Sequence, residues 1–288
     1  MNFGIAVASG TFKGVFGHGV LSTFEAEGIL ASSYSTVSSS VLSGGFAAIG
    51  QANAIGVDYW IEVAGSNKSM SEIVLESIEK YGPILREKLF HPNTPRFLIG
   101  TSRVANQEAA DLVQSPQAKR LGKKLLLEAA RQNSSWVKQN LEIQIYDSKD
   151  PQKKDLLLKD DNFDEVAYAS TRMLHAWEIP AQIQGQAYVD GSYTSSCLSK
   201  ELADIGCDVI AAIGTEPGTF YRDLAKTQEI DKDINIQNTK LVLIQPPFDL
   251  ATLEVGFTKA SQEGLSQSYQ LGIETGQSFL TELNKLGI

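Results

Sequence analysis

The feature that most constrains the fold is the alternation of apolar, strand-like runs with helical patterns along the whole chain. Strands are predicted at residues 3–8, 32–37, 96–101, 141–146, 186–189, 208–213 and 240–245. Helices are predicted at residues 15–29, 41–50, 69–80, from Ser115-Pro116 towards 133, at 197–205 and, with weak breaks at glycines, at 257–286. Because the alternation contains no repeat and no linker, it predicts one domain over residues 1–288, a three-layer α/β/α sandwich with a mostly parallel central sheet.

The composition is that of an ordinary globular protein. Of 288 residues, 42% are hydrophobic and 20% are charged, which allows a core that needs no disulfide or metal. The two cysteines, Cys197 and Cys207, indicate neither a disulfide framework nor a zinc site. The net charge of −9 disfavours sequence-independent binding to nucleic acid. Acidic residues and lysines are concentrated at residues 147–161, where we predict a solvated hairpin or loop.

The first residues indicate where the chain resides. Residues 1–8 have no basic segment and continue directly into a glycine turn, so we interpret them as a first strand and not as a signal peptide. No run approaches the roughly eighteen apolar residues of a membrane span. The sequence therefore predicts a soluble, cytoplasmic protein.

A serine-rich stretch at residues 34–42, Tyr-Ser-Thr-Val-Ser-Ser-Ser-Val-Leu, joins a β-branched strand pattern to an apolar helix pattern. Serines at such a junction commonly cap the helix. A sharp strand-to-helix turn would instead raise the central serine, Ser38, above the sheet edge. There the free N–H groups and the positive dipole end of the helix face whatever the serine attacks. Both roles are compatible with the stretch taken alone.

A glycine turn at residues 9–14, Ser-Gly-Thr-Phe-Lys-Gly, separates the first strand from the first helix. Backbone N–H groups can gather around an anion in such a turn. The nucleotide P-loop and dinucleotide glycine patterns are both missing from it. A structural turn, an oxyanion hole and a phosphate cradle therefore all remain open for this segment.

A candidate base occurs in residues 187–192, Ala-Tyr-Val-Asp-Gly-Ser, where Asp190 ends a predicted strand. Asp-Gly is first of all a turn signal. In an open parallel sheet, however, sites form outside the carboxyl ends of strands, and Ser38, Gly10 and Asp190 would all lie at such ends. A carboxylate at that edge can take the proton of a serine if partial burial raises its pKa.

Histidine is the alternative base. Of the three histidines, His175 is the best rival to the carboxylate, because the order of residues along the chain does not exclude a Ser-His-Asp triad. The other interpretation of His175 is packing or pocket lining. We expect Phe12, Trp177 and Tyr193 to line the same pocket.

In combination, these segments resemble the patatin-like phospholipases, a family of serine lipid acyl hydrolases, over nearly the whole chain. Residues 8–14 with 18–21 are similar to the family's glycine-rich oxyanion turn and its basic residue, here Lys13. Residues 36–42 occupy the place of the Gly-x-Ser-x-Gly elbow, and residues 189–192 match the Asp-Gly motif. Ala169-Ser170, Ile179-Pro180 and residues 206–210 provide further context.

The resemblance implies a mechanism and a set of site residues. Asp190 takes the proton of Ser38, which attacks a lipid ester carbonyl, while the N–H groups of Gly10, Thr11 and Phe12 hold the oxyanion. Water then hydrolyses the acyl-enzyme. No metal or cofactor is required, and the expected partners are an acyl lipid and, transiently, a membrane surface.

Two departures from the family pattern define the alternative function. Thr36 and Ser40 replace the two glycines of the elbow, and the β-branched Thr36 requires its neighbours to give way. If the elbow is inactive, the same fold would serve lipid binding or regulation without catalysis. A nucleotide-binding protein that uses the turn at 9–14 is a third hypothesis.

Overall fold

The computed structural model describes residues 1–150, 152, 154–230 and 238–288, which contain eight strands and eleven α-helices. The strands are β1 (Phe3–Val7), β2 (Ser33–Val37), β3 (Arg96–Val104), β4 (Leu141–Asp147), β5 (Ala181–Ile183), β6 (Gln186–Val189), β7 (Val209–Ile213) and β8 (Lys240–Ile244). The helices are α1 (Gly14–Ala26), α2 (Ser40–Ala48), α3 (Ala52–Ile55), α4 (Asp58–Ala64), α5 (Met70–Leu89), α6 (Gln107–Gln114), α7 (Ala118–Ala130), α8 (Ser135–Asn140), α9 (Phe163–Thr171), α10 (Ser199–Asp204) and α11 (Gln262–Lys285).

All eight strands belong to one sheet, in the order β5-β6-β3-β2-β1-β7-β8, with β4 also paired to β3. The five central strands from β3 to β8 are parallel to one another. β4, β5 and β6 pair antiparallel to their neighbours. The predicted mixed α/β fold with a mostly parallel central sheet is therefore confirmed.

Helices cover both faces of the sheet, as the alternation of side chains along β1 shows. Ile5 and Val7 belong to the larger buried cluster, which includes residues of α1, α2 and α5. Ala6, on the other face, belongs to a smaller cluster with Leu202 of α10 and Cys207. Since successive strand residues point to opposite faces, the sheet lies between two helical layers.

The relation between β2 and β6 positions the candidate site. β4 occupies one edge of β3 along residues 98–104. The other edge of β3 pairs with β2 up to Gly100, where Val37 is the partner, and then with β6 from Ser102, where Val189 is the partner. The two strands thus approach each other end to end along one edge of β3, and the residues that follow them meet opposite Thr101.

This arrangement corrects one sequence-based expectation. Asp190 was predicted to follow a strand of the parallel set, but β6 runs antiparallel to β3. Asp190 therefore reaches Ser38 because β3 extends beyond β2 and offers a pairing edge to a strand that runs in the opposite direction. The sequence of a four-residue strand does not indicate whether the strand pairs parallel or antiparallel to its neighbour.

Several predicted boundaries are wrong. The helix predicted at 69–80 extends to Leu89, the one predicted from Ser115-Pro116 begins at Ala118, and the one predicted at 197–205 spans Ser199–Asp204. The C-terminal helix begins at Gln262 and continues through its glycines. The helices α3, α4, α6, α8 and α9 and the strand β5 were not predicted; all except α9 are eight residues or shorter.

The segment predicted as a solvated loop, 147–161, is solvated only in part. Asp147 ends β4, is 3% exposed and pairs with Arg96, whose single Nε–H is shared between the two carboxylate oxygens at 2.9 and 3.0 Å and whose Nη2 donates to Oδ2 at 2.5 Å. A short 3-10 helix follows at Lys154–Leu156. Positions 151 and 153 lie outside the described residues. Within the described part of the chain, no helix is long and apolar enough to cross a membrane.

Helix α1 packs closely against α11, and glycines allow the approach. A Cβ atom at Gly19 would lie 2.2 Å from the carbonyl oxygen of Tyr269, and one at Gly272 would lie 2.1 Å from the carbonyl oxygen of Phe16. Real Cβ atoms do not approach backbone oxygens this closely. The position of α1, which begins directly after the turn at 9–13, therefore depends on these two glycines.

We expect Gly272→Ala to lower the free energy of unfolding by about 2–4 kcal/mol, because the backbones of both helices must move apart. Urea unfolding followed by circular dichroism measures the change. Gln277→Ala, at an exposed position of the same helix, is the control and should change stability by less than about 0.5 kcal/mol. Equal stability of the two variants would contradict the proposed close contact.

Candidate active site

Ser38 occupies a sharp turn between β2 and α2. Its φ of 61° lies in the left-handed region, which costs a non-glycine residue on the order of 1 kcal/mol or more. The Ser38 Oγ donates a hydrogen bond to the Oδ2 of Asp190 at 2.6 Å. Ser38 is 3% exposed and Asp190 is fully buried. The structure therefore brings together the serine and the carboxylate that the sequence singled out.

Ser170 of α9 holds the backbone of Ser38 in this conformation. The Ser38 N–H donates to the Oγ of Ser170 at 2.8 Å, and that Oγ donates in turn to the carbonyl oxygen of Gly100 at 2.7 Å. In the sequence, Ser170 is only part of the context of the family resemblance, and no role is predicted for it. Its contact with Ser38 joins residues 132 positions apart, so no local pattern could have predicted it.

Thr36 and Ser40, which lie two positions before and after Ser38, are accommodated by specific neighbours. A Cβ at Gly44 would lie 2.4 Å from the Cγ2 of Thr36, so the glycine at position 44 provides the space that the threonine methyl group occupies. The Thr36 Oγ1 donates to the carbonyl oxygen of Leu98 at 3.0 Å. The Ser40 Oγ accepts the N–H of Val37 at 2.9 Å. Both hydroxyl groups are thus satisfied inside the core.

Burial and hydrogen bonds act in opposite directions on Asp190. Desolvation raises the pKa of its carboxyl group to about 6, although the hydrogen bonds from Ser38 and Ser192 favour the ionised form. The Ser192 N–H donates to the Oδ1 at 2.8 Å. A carboxylate with a pKa near 6 is ionised at neutral pH and is basic enough to accept a proton.

The turn after β1 presents unpaired donors beside Ser38. Thr11 has a φ of 47°, and among the described residues no acceptor pairs with the backbone N–H groups of Gly10, Thr11 or Phe12. A Cβ at Gly10 would lie 2.6 Å from the Cγ2 of Thr215, so this position requires glycine. Consecutive free N–H groups of this kind can stabilise a developing negative charge on oxygen.

Lys13 anchors the turn to two other segments. Its buried ammonium donates to Glu216, after β7, at 2.6 Å and to Asp249, after β8, at 2.8 Å. Burial alone would lower the pKa of Lys13, but the hydrogen bonds and charges of the two carboxylates raise it overall. The lysine is therefore charged, and its charge is matched within the protein.

Two cavities meet at Ser38. The first, which we call the apolar pocket, has about 530 Å³ of space including its opening and lies between Thr11, Phe12, Ser38 and the helices α4 and α5. Its walls are mostly hydrophobic: Tyr59, Trp60, Val63, Ile73, Ile78 and Trp177. The second, which we call the polar cleft, has about 1250 Å³ of space including its opening. Its lining includes Ser38, Gly10, Lys13, Ser192, Glu216 and Asp249.

The remaining predicted residues take different places. Phe12 and Trp177 line the apolar pocket, as expected. The expectation is wrong for Tyr193, which lines neither the apolar pocket nor the polar cleft and accepts the N–H of Leu174 at 3.3 Å.

His175 forms no hydrogen bond with Ser38 or Asp190 in the described structure, and its buried Nδ1 has no partner. Burial and the charge of Lys123 lower the pKa of His175. The geometry therefore favours the carboxylate over this histidine as the group that receives the proton of Ser38.

His18, on α1, supports the apolar pocket from behind. Its Nδ1 accepts a hydrogen bond from the indole N–H of Trp60 at 2.9 Å, and its Nε2 lies 2.9 Å from the carbonyl oxygen of Ala52. Desolvation lowers the pKa of His18 to about 4. The ring is therefore neutral at physiological pH and fixes the position of a pocket wall.

No family model matches this chain, and no curated protein matches it. The resemblance to patatin-like phospholipases therefore stays a prediction from the motifs.

The buried carboxyl group predicts a pH-dependent loss of stability. Its pKa is 3.8 in the unfolded chain and about 6 in the folded protein, so the folded state binds the proton more tightly. Stability from this group is fully present below about pH 4 and falls as the pH rises through 6, by about 3 kcal/mol in total. Asp190→Asn removes this dependence, so the variant should gain stability over the unmodified protein on going from pH 5 to pH 8.

Urea unfolding at both pH values measures the effect for Asp190→Asn and for the unmodified protein. Asp161→Asn is the control, because it removes an exposed carboxylate and leaves the buried one in place. If the stability difference between Asp190→Asn and the unmodified protein were the same at pH 5 and pH 8, the raised pKa would be wrong.

The contact between Thr36 and Gly44 predicts a coupled pair of substitutions. Gly44→Ala places a methyl group against the Thr36 Cγ2 and should lower the free energy of unfolding by about 2–3 kcal/mol. Thr36→Ser removes the Cγ2 and keeps the hydroxyl group. The double variant should therefore recover at least half of the loss, as a thermal or urea double-mutant cycle would show. Strict additivity would refute the contact.

Proposed function

We propose that this protein is a serine carboxylic ester hydrolase that cleaves acyl lipids through an acyl-enzyme. The observation that carries the proposal is the 2.6 Å hydrogen bond from the Ser38 Oγ to a buried carboxylate. The serine that makes this bond also has a strained left-handed backbone. Backbone strain at a residue held by its surroundings is typical of functional sites, whereas a helix-capping serine has no need of it.

The first half of the reaction follows from the positions of the groups. Asp190 accepts the proton of Ser38 as the Oγ attacks the carbonyl carbon of the ester. The N–H groups of residues 10–12 stabilise the tetrahedral oxyanion. Collapse of this intermediate breaks the bond to the alcohol, which takes the proton from Asp190 as it leaves.

The second half repeats these roles with water. Asp190 takes a proton from a water molecule, whose oxygen attacks the acyl-enzyme carbonyl. The same N–H groups hold the second oxyanion. Release of the carboxylic acid returns the proton to the Ser38 Oγ and restores the hydrogen bond to Asp190.

Lipid substrates are favoured by the lining of the apolar pocket. Aromatic and aliphatic side chains surround the space that begins at Ser38, and an acyl chain gains free energy when it leaves water for such walls. Exposed aromatic side chains lie beside the cleft. Phe257 lines it and is 40% exposed, and Phe248, next to Asp249, is 41% exposed. They support the proposed transient contact with a membrane surface. A cytoplasmic location stays a prediction of the sequence.

Lipid binding without catalysis is the alternative. It would require that Thr36 and Ser40 prevent the elbow from forming. The accommodation of Thr36 by Gly44 and the hydrogen bond from Val37 to Ser40 instead support an elbow that tolerates both replacements. The nucleotide hypothesis gains no support from Lys13, whose ammonium is held by two carboxylates.

Labelling with a fluorophosphonate probe tests the proposed function. We expect the probe to attach to Ser38, with a rate that increases with pH and is half-maximal near pH 6, because Asp190 acts as a base only when it is ionised. Ser38→Ala should abolish labelling. Asp190→Asn should slow it by about a hundredfold or more.

Ser266→Ala, which removes an exposed serine of α11, is the matched control and should label like the unmodified protein. Mass spectrometry locates the modified residue. A folded, unmodified protein that does not react would exclude the hydrolase and leave the lipid-binding alternative.

A further inference from the structure

The polar cleft differs from the apolar pocket in both chemistry and charge, although Ser38 lines both. An ester that reacts at Ser38 has an acyl side and an alcohol side, which leave the carbonyl carbon in different directions. With the acyl chain in the apolar pocket, the alcohol side extends into the polar cleft. The cleft therefore determines which alcohol groups the site accepts.

One of the two ammonium groups that line the cleft, that of Lys13, is not available to bind an anion. Lys13 is buried, and Glu216 and Asp249 hold its ammonium at 2.6 and 2.8 Å. The side chains of these two carboxylates remain 55% and 52% exposed. A ligand in the cleft therefore meets two exposed carboxylates in front of one buried ammonium.

The other charged residues of the cleft do not change this excess of negative charge. Asp223 and Lys226 also line it and offset each other. The Lys226 ammonium lies 5.7 Å from the centre of the Tyr221 ring. Among the described lining residues, three carboxylates thus face two ammonium groups. Asp190, behind Ser38, adds a further negative charge whenever it is ionised as the base.

The uncharged lining offers contacts to a cation and to hydroxyl groups. Phe220 and Phe257 line the cleft together with Tyr221, whose ring already lies beside the Lys226 ammonium. Aromatic faces beside carboxylates attract alkylammonium groups. Serine and threonine residues line the same space: Ser9, Ser192, Ser196, Thr215 and Thr219. A neutral, zwitterionic or cationic alcohol group is compatible with this lining, whereas a group with net negative charge is repelled.

We propose that the site selects acyl esters whose alcohol side carries no net negative charge, with zwitterionic phospholipids preferred over anionic ones. The proposal rests on the proposed function for the orientation of the ester. Glu216 and Asp249 determine this specificity by exposing their charge to the cleft while they neutralise Lys13.

Water-soluble lipids test this preference without a membrane surface. Dihexanoyl phosphatidylcholine and dihexanoyl phosphatidylglycerol are used as monomers, so that the overall charge of a vesicle does not enter the comparison. We expect kcat/KM to be about fivefold or more higher for the choline lipid at low salt, and the preference to shrink as salt screens the carboxylates. Glu216→Gln, whose amide oxygen can still accept a hydrogen bond from Lys13, should reduce the ratio by about twofold to threefold.

Glu282→Gln is the control, because it removes an exposed carboxylate of α11 that does not line the cleft and should leave the ratio unchanged. Binding of both lipids to Ser38→Ala, measured by calorimetry, gives a readout that does not depend on catalysis. Tighter binding of the choline lipid supports the charge preference even if the unmodified protein cleaves neither lipid, a result that overturns the proposed function alone.

Three results overturn the charge preference. The first is equal or faster cleavage of the glycerol lipid by the unmodified protein, which leaves the hydrolase assignment intact. The second is a ratio that Glu216→Gln and Glu282→Gln change equally. The third is the absence of both binding and cleavage, which overturns the proposed function as well.

Discussion

The site depends on the unequal lengths of two neighbouring strands. β3 has nine residues and β2 has five, so β3 continues beyond the end of β2 and leaves an unpaired edge. Unpaired backbone groups next to a core require partners, and β6 supplies them from the opposite direction. The ends of β2 and β6 are then close enough for the Ser38 Oγ to reach Asp190. If β3 were shorter, the same sequence would still contain Ser38 and Asp190, but the two side chains would lie far apart.

Several features of this site lower the stability of the fold. Contacts from other segments of the chain hold these features in place. Ser38 and Thr11 have positive φ values, and Asp190 is ionised within the core at neutral pH. Ser170 fixes the backbone of Ser38, while Thr215 packs against Gly10 and donates to the carbonyl oxygen of Ser9 at 2.8 Å. Strain of this kind persists only where the surroundings determine the conformation. In the proposed hydrolase, the same contacts would keep Ser38 and Asp190 in position before a substrate binds.

The sequence predicted the parallel core because each central strand is a short apolar run followed by a helical pattern. The resemblance of its motifs to a known family implied that Ser38 and Asp190 would meet, and they do. The sequence could not predict the strand arrangement that brings them together. β6 runs antiparallel to β3 because it pairs with the free edge of β3, and residues 186–189 alone do not specify this direction. The sequence also could not predict the contact between Ser170 and Ser38 or the pairing of Lys13 with two carboxylates. These contacts join segments more than 130 positions apart, and a single sequence records no distances between such segments.

The turn at residues 36–40 shows that the space beside a tight strand-to-helix turn can come from a residue outside the Gly-x-Ser-x-Gly positions. A tight strand-to-helix turn needs space beside the serine, and a glycine at the second position before the serine is one way to provide it. Here that position is Thr36, and the space is provided by Gly44 on the facing turn of α2. The requirement is therefore a property of the contacting pair and not of one position. A motif that specifies residue types one position at a time cannot represent such an exchange, so a departure from the Gly-x-Ser-x-Gly pattern does not by itself indicate an inactive turn.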